Sequence, residues 1–506
     1  MAMAIAILTY APTVTPARYA PRAMRHTTFR FALAPTPPQA GLLARYAGAS
    51  RFAYNQSLRL VTDALAAQRA DPHIRVPWSA FDLINAFNDW KHSEAAGRVF
   101  VVASDGTTTK QVTGLSWRSE VCAQVFEEAA VDLGRALALY AEAKAGRREG
   151  RIGFPRRKHK GRCRDSFRLR NRTDRRTGRA SLRVGDGLLR SVTLPTIGTV
   201  RVHDDTRRLR RLLRTVAHRD PGQQVLAPRG KLLFATVSRH ADRWYVSLNL
   251  QAPDLHPQRH HRSRGDHDHG GWVGLDRGLA AFAVAATADG TEVGRWQAPR
   301  PLQRGMVGLR RRSKAVSRAQ SRSRNRGGAI RRLSRRHARI TDAHRSFLHE
   351  VSSQLVKTHD RLCLEDLAVA NLIRNKHLAR AIGDAGWAEF ARQLAYKQAW
   401  RGGQVMVADR WLPSTRTCSR CGLVKQRMGL AERMFCCDAC GLVMDRDRNA
   451  AANLAAWAEQ HHAQVPDRQA GGRVINASGG EGAGRHLADG ATSPSEGGTE
   501  RPRLLA

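Results

Sequence analysis

The sequence predicts a multidomain α/β protein, and three observations lead to that prediction. Apolar residues recur at helical spacing in two stretches, 42–65 and 122–140. From residue 152 the pattern changes to short runs of β-branched and aromatic residues separated by Gly or Pro, which is typical of strands. From residue 272 strand-like and helix-like runs alternate. At about 150 residues per domain, the 506 residues of the chain allow roughly three folded units.

The chain is strongly basic. It contains 85 Lys and Arg residues against 43 Asp and Glu residues, which gives a net charge of +42. A GC-rich genome would explain Arg in place of Lys, but that exchange leaves the net charge unchanged. No apolar run approaches the roughly 18 residues of a membrane-spanning helix, and the longest covers 279–286. The composition therefore favours a protein that binds nucleic acid.

The first half of the chain is predicted to combine helices with a β-domain. Residues 1–26 contain three prolines and no acidic residue, and we expect a disordered extension rather than a targeting peptide. A strand is expected over 27–33, and residues 97–116 are expected to form an insert or hairpin between the two helical stretches. Further strands are expected at 167–169, 181–184, 192–194, 200–202, 232–238 and 244–250. These strands indicate a β-barrel or a small β-domain, into which the helical region 50–145 is inserted if strand 27–33 belongs to it.

The second half begins after a histidine-rich linker, which we interpret as a solvated loop because its histidines show no regular ligand spacing. Strands are expected at 272–275, 281–287, 292–296, 361–365 and 404–408, and helices at 330–351, 387–400 and 449–460. Between residues 304 and 345 there are fourteen Arg and one Lys against one Asp. Apolar residues and histidines recur there at spacings of three and four, at Ile330, Leu333, His337, Ile340, His344, Phe347 and Val351. We therefore expect a helix with one buried stripe whose remaining surface lies along phosphates.

Five of the eight cysteines fall between residues 418 and 440, which is typical of a metal site rather than a disulfide framework. The pairs Cys418/Cys421 and Cys437/Cys440 have the Cys-x-x-Cys spacing of a structural zinc ribbon. Cys436 competes with Cys437, but only Cys437 preserves the two-residue gap. A glycine follows each pair, and we expect it to relieve crowding where the turn folds toward the thiolates. Four thiolates leave no open coordination position, so this Zn²⁺ is expected to fold a knuckle and not to catalyse.

Three carboxylates mark a second candidate site. Asp276 and Glu365 each end an apolar, strand-like run, and Asp447 opens the last helix. Burying an acid is costly unless a cation or a donor compensates it. Two Mg²⁺ ions are one such compensation, and they can activate water and stabilise the leaving oxygen of a phosphodiester. Singly, each acid is more simply a strand-end or surface residue; together, in this order and in so basic a chain, they fit an RNase H-like nuclease core.

Several motifs in this order give the chain its resemblance to a known family. They comprise Pro35-Thr36 with Gln39, Arg51-Phe52-Ala53-Tyr54-Asn55, Gly153-Phe154-Pro155, Gly274-Leu275-Asp276-Arg277-Gly278, Glu365-Asp366-Leu367, the cysteine pairs, and Asp445-Arg446-Asp447-Arg448-Asn449-Ala450-Ala451. Over roughly residues 27–465 the chain resembles TnpB, the transposon-encoded RNA-guided nuclease, and the compact type V CRISPR effectors that share its RuvC nuclease domain. The N-terminal extension and Arg277, beside the first acid, depart from the family pattern.

The resemblance implies catalytic acids at Asp276, Glu365 and Asp447, with Asp447 preferred to Asp445 because it directly precedes x-Asn-Ala-Ala. It implies an RNase H-like (RuvC) core with a β-barrel wedge domain, a helical recognition domain and a zinc-ribbon insert. The implied boundaries are 1–26 for the extension, 27–51 and 150–255 for the wedge, 52–149 for recognition, 256–271 for the linker, 272–410 and 445–465 for the nuclease, 411–444 for the ribbon that binds target nucleic acid, and 466–506 for a disordered tail.

The resemblance also implies the partners: a guide RNA that reads the target by base pairing, and double-stranded DNA whose short flanking motif the protein reads. Candidate phosphate contacts are Arg156, Arg157, Lys158, Lys160, Arg331, Arg332, Arg335 and Arg336, and candidate flanking-motif contacts are Arg118, Ser119 and Gln124, for which an ordinary helix N-terminus is an equal explanation. We expect a monomer, with a dimer as the alternative, in the bacterial cytosol and at the nucleoid when bound to DNA. A guided repressor that binds without cutting and a guide-independent transposase are the competing functions.

Overall fold

The computed structural model describes residues 24–148, 150, 152–174, 177–220, 223–253, 260–262, 268, 270–429, 431–462, 474–475 and 481–482. The expected disordered segments 1–26 and 466–506 therefore lie almost wholly outside the described residues. Residues 24–26 do not belong to an extension, because they pair with residues 251–253 at the start of the first strand. The chain divides into two compact units, Met1–Leu255 and His256–Ala506.

The first unit contains an antiparallel seven-stranded sheet in the order β4-β10-β11-β1-β7-β6-β5. The strands of this unit are β1 (Met24–Ala34), β2 (Arg98–Val102), β3 (Thr108–Thr113), β4 (Ser166–Arg170), β5 (Arg183–Val184), β6 (Ser191–Leu194), β7 (Gly198–Val202), β8 (Thr215–Asp220), β9 (Gln223–Pro228), β10 (Lys231–His240) and β11 (Arg243–Pro253). β2 and β3 form the hairpin expected between residues 97 and 116. The separate hairpin of β8 and β9 was not predicted.

Helices of the first unit are α1 (Pro37–Ala70), α2 (Ala80–His92), α3 (Gln124–Lys144) and α4 (Arg207–Leu213), with a 3₁₀ turn at Glu94–Ala96. α1 begins with a capping box, in which Thr36 accepts from the Gln39 N–H and the Gln39 side chain accepts from the Thr36 N–H. Its 34 residues run without a break across the expected boundary between residues 51 and 52. The apolar faces of α1, α2 and α3 pack with the large sheet in one core.

The second unit is built on a five-stranded sheet in the order β14-β13-β12-β15-β16. Its strands are β12 (Trp272–Asp276), β13 (Ala283–Thr287), β14 (Glu292–Trp296), β15 (Arg361–Glu365) and β16 (Gln404–Ala408). β12, β13 and β14 are antiparallel neighbours, whereas β12, β15 and β16 run parallel. One sheet face, which includes Leu275 and Leu364, packs into the core formed with α6 and α9, and the other, with Trp272 and Cys363, packs on α10.

Helices of the second unit are α5 (Pro301–Arg318), α6 (Arg324–Thr358), α7 (Val369–Leu372), α8 (Ala379–Ala385), α9 (Trp387–Arg401) and α10 (Arg446–His461). The buried stripe expected along α6 is correct only in its C-terminal part. Between residues 324 and 347 of α6 only Ala329 is fully buried, and Ile330 is 48% exposed. That part of α6 lies against α5, where Ile340 fills the space beside Gly305, rather than on the main core.

The short hairpin of β17 (Met434–Cys436) and β18 (Val443–Asp445) carries the second cysteine pair. Two further short strands, β19 (Val474–Ile475) and β20 (Glu481–Gly482), pair with each other. They lie within 466–506, so the expectation of a disordered tail is corrected for these four residues. Among the helices of the described ranges, the structure holds none with the length and apolar character that would cross a membrane.

Candidate active site and metal centre

Asp276 and Glu365 are brought together by the register of two parallel strands. Leu275 of β12 pairs with Leu364 of β15, so the next residues along both strands, Asp276 and Glu365, end the strands side by side. Side chains alternate between the two faces of a strand. Asp276 therefore shares the face of Trp272, which is the face covered by α10. The sheet thus presents two carboxyl groups at one edge, both directed to the side where α10 begins.

Gly274 fixes how closely α10 approaches β12. A Cβ atom at Gly274 would lie 1.9 Å from the Ala451 carbonyl oxygen and 2.7 Å from the Ala455 nitrogen. The helix backbone therefore rests directly on the strand, which only glycine permits. Asp447 lies one helical turn before Ala451, in the first turn of α10, and is 9% exposed. The structure therefore brings the third predicted acid to the edge formed by Asp276 and Glu365.

The neighbouring acid Asp445 has a different role. Its carboxylate caps α10 by accepting from the Arg448 N–H at 3.0 Å, and it pairs with Arg295 at 2.9 Å. The Arg295 guanidinium and the Arg448 N–H outweigh partial burial and lower the pKa of Asp445. Because Asp445 is occupied in holding the helix end, the geometry favours Asp447 as the third member of the site.

At this site three acids lie close together: Asp276 and Asp447 are buried, and Glu365 is partly buried. Burial, a hydrogen bond with Glu365 and the charges of Glu365 and Asp447 raise the pKa of Asp276 well above its usual range, and Arg446 only partly opposes this. Oε1 of Glu365 is buried and accepts no hydrogen bond from any residue that the structure describes. A divalent cation would satisfy both groups, so the donor set fits Mg²⁺.

Arg277, which sequence reasoning noted only as a departure, has a structural role. Its side chain is 6% exposed. The guanidinium donates to the backbone carbonyls of Glu365 and Trp387, the latter at 3.5 Å, and burial lowers its pKa. Arg277 therefore ties the end of β15 to the start of α9 and fixes the backbone that carries Glu365.

The four predicted zinc ligands form one cluster. The Sγ atoms of Cys418, Cys421, Cys437 and Cys440 all lie within 4.8 Å of one another. The Cys418–Cys440 and Cys421–Cys437 pairs of sulfur atoms are 3.5 and 3.6 Å apart. Tetrahedral Zn²⁺ with Zn–S bonds of about 2.3 Å requires sulfur separations of about 3.8 Å, so the cluster fits zinc. Cys436 is exposed and lies outside the cluster, as its spacing predicts.

The two cysteine knuckles have the same backbone. The Gly422 N–H donates to Cys418 O and the Gly441 N–H to Cys437 O, at 2.9 and 3.0 Å. The two glycines have φ values of +78° and +70°, and a Cβ on either would meet nothing within 4 Å. The expected reason, crowding near the thiolates, was therefore wrong, because what the turn requires is left-handed backbone.

Two asparagines missed by sequence reasoning attach the ribbon to α10. The Asn449 side chain accepts from the Ser419 N–H at 3.0 Å and donates to Thr417 O at 2.7 Å. Asn453 donates to Ser414 O and Thr417 O, both at 2.7 Å. Both asparagines are buried. Two Asn residues at spacing i, i+4 on an otherwise alanine-rich helix were the signal that could have identified them.

We expect Asn449→Ala to loosen the first knuckle. The substitution leaves the partly buried Ser419 N–H without its Asn449 acceptor and Thr417 O with Asn453 as its remaining side-chain donor, at a cost of about 1–3 kcal/mol. Limited proteolysis should detect faster cleavage around residues 411–425. The matched control is Asn371→Ala at an exposed site on α7, and equal protease resistance of Asn449→Ala and wild type would contradict the assigned role.

Zinc removal is expected to unfold the ribbon selectively. Cys421→Ser should bind less than one Zn²⁺ per chain and lose hydrogen-exchange protection between residues 414 and 444. The reason is that the hydrophobic core of this segment is small, so its folding depends on the bonds between the metal and the thiolates. Cys436→Ser should bind one Zn²⁺ as wild type does. Metal analysis together with hydrogen exchange checks both variants, and zinc loss in Cys436→Ser instead would mean that the ligand set is different.

The three residues expected to contact the flanking motif differ in how exposed their side chains are. Gln124 is 7% exposed, and its Oε1 accepts from the Arg170 N–H at 2.9 Å. Arg118 donates to Thr113 O at 2.9 Å and to Leu115 O at 3.2 Å. Gln124 is therefore corrected to an internal packing residue, Arg118 is half-buried and partly occupied, and Ser119 is exposed.

The basic loop 156–160 is held in place by residues of α1. Asn55 exchanges two hydrogen bonds of 2.8 Å with the Lys158 backbone, and the Lys158 ammonium lies 3.9 Å from the centroid of the Tyr54 ring. Lys158 thus serves partly as an anchor. Three of its neighbours in the loop, Arg156, Arg157 and Lys160, are exposed. The Tyr54-Asn55 motif therefore has a structural role in presenting these cations.

On α6, the side chains of Arg331, Arg332 and Arg335 are exposed, while Arg336 is half-buried beside Gly308 of α5. The exposed arginines leave this part of α6 with a basic surface. Residues 324–341 of α6, all of which the structure describes, contain no Asp or Glu that would offset this charge.

Protein-family models match three parts of the chain. The model described as "Cas12f1-like, TNB domain" matches residues 387–454, and "Probable transposase" matches residues 256–376. "Helix-turn-helix domain" matches residues 24–70, where the structure has strand β1 followed by one continuous helix.

Curated relatives match nearly the whole chain. A Mycobacterium tuberculosis protein named "Putative RNA-guided DNA endonuclease" is 33% identical over 91% of this chain and 96% of its own length. An Escherichia coli K12 protein of the same designation, InsQ, is 27% identical over 85% of this chain and 92% of its own length. A shorter match, 32% identical over 24% of each chain, is to a TnpB-like protein of Acanthamoeba polyphaga mimivirus. The chain belongs to the TnpB family and its type V relatives, as its motifs predicted.

Solved structures give weaker matches. A Cas12f1–sgRNA–target DNA complex aligns with 85% of this chain and 99% of its own, at 10% identity and a TM-score of 0.29. The mini-RNA-guided endonuclease CRISPR-Cas phi3 aligns with 87% of this chain and 92% of its own, at 9% identity and a TM-score of 0.37.

Proposed function

We propose that this chain is an RNA-guided DNA endonuclease that cleaves phosphodiester bonds at Asp276, Glu365 and Asp447. The observation that carries the proposal is the meeting of three acids, from two register-matched strand ends and one helix N-terminus, in a buried environment. The names of the long, closely matching relatives support the same activity.

The order of the second unit's sheet supports an RNase H-like (RuvC) core, because three antiparallel strands are followed by two parallel strands joined through helices. The seven-stranded sheet of the first unit then serves as the wedge, the helices between its strands as the recognition domain, and residues 411–444 as a ribbon that binds target nucleic acid. The ribbon's four cysteines would hold one structural Zn²⁺.

Asp276, Glu365 and Asp447 would hold Mg²⁺, which when bound activates water and stabilises the leaving oxygen of the phosphodiester. The residues of the chain prepare the site for that chemistry. Burial and the neighbouring acids disfavour the charged form of Asp276, and a bound cation would stabilise that charged form. Arg277 fixes the Glu365 backbone, and Asp445 holds the helix end that presents Asp447. The backbone that carries Glu365 and the helix start that carries Asp447 are thereby held in place before substrate binds.

The exposed cations are suited to nucleic acid held by its phosphates. Arg156, Arg157 and Lys160 on the loop, and Arg331, Arg332 and Arg335 on α6, are exposed. In an RNA-guided enzyme such residues grip the backbone, while base pairing between the guide RNA and one DNA strand reads the sequence. Lys158 and Arg336 support these surfaces from half-buried positions.

We expect the double variant Arg331→Ala/Arg332→Ala to weaken nucleic-acid binding and to reduce the slope of log affinity against log salt by about 1–2, since each phosphate contact contributes about 0.9. Arg45→Ala/Arg75→Ala removes the same charge from exposed arginines paired with Glu120 and Asp82. Titrations at several salt concentrations compare the variants, and an equal slope change in both would mean that net charge alone explains the effect.

The test of function starts with the purified chain and whatever nucleic acid accompanies it. An absorbance excess at 260 nm that ribonuclease removes would identify a bound RNA, and sequencing that RNA defines a matched duplex. Mg²⁺-dependent cleavage of the matched duplex, and not of a scrambled one, is the expected result. Binding of the matched duplex without cleavage would identify a guided repressor instead, and RNA-independent strand joining would identify a transposase.

A further inference from the structure

Trp411 is the most exposed large apolar side chain in the described part of the chain, at 85%. It lies three residues after the end of β16, as the first residue of the segment 411–444 that carries the cysteine cluster. Tryptophan carries a large apolar surface and is usually well buried. An indole so fully exposed is available to contact a partner.

The turn that carries Trp411 is fixed on both sides. Asp409 Oδ1 accepts from the Trp411 N–H at 2.7 Å. Leu412 packs against the core between the sheet and α10, and its carbonyl accepts from the Ser414 N–H at 2.8 Å. These contacts fix the backbone on both sides of Trp411, while its indole lies in solvent.

Trp411 lies close to the carboxylate edge of the sheet. Ala408, the last residue of β16, pairs in register with Glu365, and Arg410 contacts the Asp366 carboxylate at 2.5 Å. Three residues span at most about 10 Å and adjacent strands lie about 4.8 Å apart. The Trp411 backbone is therefore within about 15 Å of that of Glu365, a distance that a few nucleotides of single strand can cover.

We propose that Trp411 is a positioning residue that stacks on a nucleobase of the DNA strand entering the carboxylate site. This inference rests on the proposed nuclease function. Aromatic rings bind single strands by stacking on bases irrespective of sequence, and the half-exposed Arg410 beside the indole can attract the adjacent phosphate. Holding one base sets which phosphodiester lies at Asp276 and Glu365.

The neighbours of Trp411 favour a nucleobase over a protein surface. Asp409 and Arg410 are exposed and charged. Protein-binding sites typically show a contiguous apolar patch, whereas one flat ring among charged groups suits a single base and its phosphate. An apolar protein partner or a second copy of this chain is thus the alternative that the experiment must separate.

The first experiment measures binding of the full-length protein to a fluorescent oligothymidine and to an abasic oligomer of equal length, with Ca²⁺ in place of Mg²⁺. Salt of roughly 0.3 M weakens contacts made through phosphate alone. We expect Trp411→Ala to reduce the preference for oligothymidine by about 5- to 100-fold. Trp411→Phe should keep most of it, and Trp400→Ala, at a residue 51% exposed on α9, should keep all of it.

An unchanged preference in Trp411→Ala overturns the proposal, as does an equal loss of affinity for both oligomers. A shift from dimer to monomer in light scattering, with the preference unchanged, assigns the indole to a protein contact and also overturns it. Cleavage of the matched duplex by wild type and by Asp276→Asn tests the proposed function separately. Base preference that depends on Trp411 in a protein that does not cleave would support stacking while rejecting the nuclease.

A second readout connects stacking to the reaction. The substrate is a DNA strand that carries one abasic nucleotide. Wild type should cut poorly at the phosphodiester bond that lies a fixed number of nucleotides from the abasic site. Trp411→Ala should still cut the strand, but its cleavage at that bond should no longer be reduced. An unaltered cleavage pattern in Trp411→Ala would overturn the positioning role.

Discussion

Asp276→Asn is expected to reduce Mg²⁺-dependent cleavage by about three orders of magnitude or more. The substitution removes a metal-binding charge from the meeting point of β12, β15 and α10, and a loss of several kcal/mol of transition-state stabilisation corresponds to such a factor. Single-turnover cleavage of the matched duplex, with guide RNA and protein in excess, measures the effect directly.

Folding must be shown to survive in Asp276→Asn. Burial and neighbouring acids disfavour the charged form of Asp276, which raises its pKa, so a neutral amide of equal size should not lower the melting temperature in EDTA. The matched control is Asp445→Asn, which weakens a helix cap and the Arg295 pair but leaves the proposed metal ligands intact. Cleavage lost in Asp445→Asn and retained in Asp447→Asn would reassign the third acid.

Gly274→Ala is expected to lower both stability and cleavage. The new Cβ would lie 1.9 Å from the Ala451 carbonyl oxygen, and neither a strand nor a helix backbone can yield as a flexible side chain does. Overpacking costs about 1–3 kcal/mol or more. Separation of α10 from β12 by about 1 Å would displace Asp447 from Asp276, which can cost about 100-fold in rate.

Thermal unfolding and single-turnover cleavage together check Gly274→Ala. The control is Gly383→Ala in α8, where an added Cβ meets nothing within 4 Å and alanine favours the helix. A Gly274→Ala protein that melts and cuts as wild type does would contradict the close approach of α10 to β12.

Much of the second unit was predictable because short patterns determine its elements. β15 and β16 have the predicted bounds, 361–365 and 404–408, since each is an apolar run flanked by charged residues or glycine. The cysteine spacing predicted the cluster that Cys418, Cys421, Cys437 and Cys440 form, and Asp276 and Glu365 end strands where their apolar runs predicted. Their register in the sheet depends on contacts far apart in sequence, which no local pattern contains.

Other features depend on tertiary contacts and were missed or misplaced. The stripe along α6 has helical spacing throughout, but only its C-terminal part meets a core, so Ile330 is exposed. Gln124 stands in a polar segment at a helix start, yet it faces inward because the Arg170 N–H needs an acceptor. The i, i+4 spacing of Asn449 and Asn453 marked them as unusual, but their partners are known only from the folded contact between the ribbon and α10.

The hydrogen bonds between α10 and the first cysteine knuckle connect the two proposed metal sites through one helix. Asp447 stands two residues before Asn449 and six before Asn453, and these two asparagines bond to the segment that leads into Cys418. In the proposed enzyme a displacement of the cysteine knuckle would be transmitted through α10 to Asp447, and we expect each metal to change the affinity of the other by the same factor. Magnesium titrations of zinc-loaded and zinc-depleted protein would reveal this reciprocity.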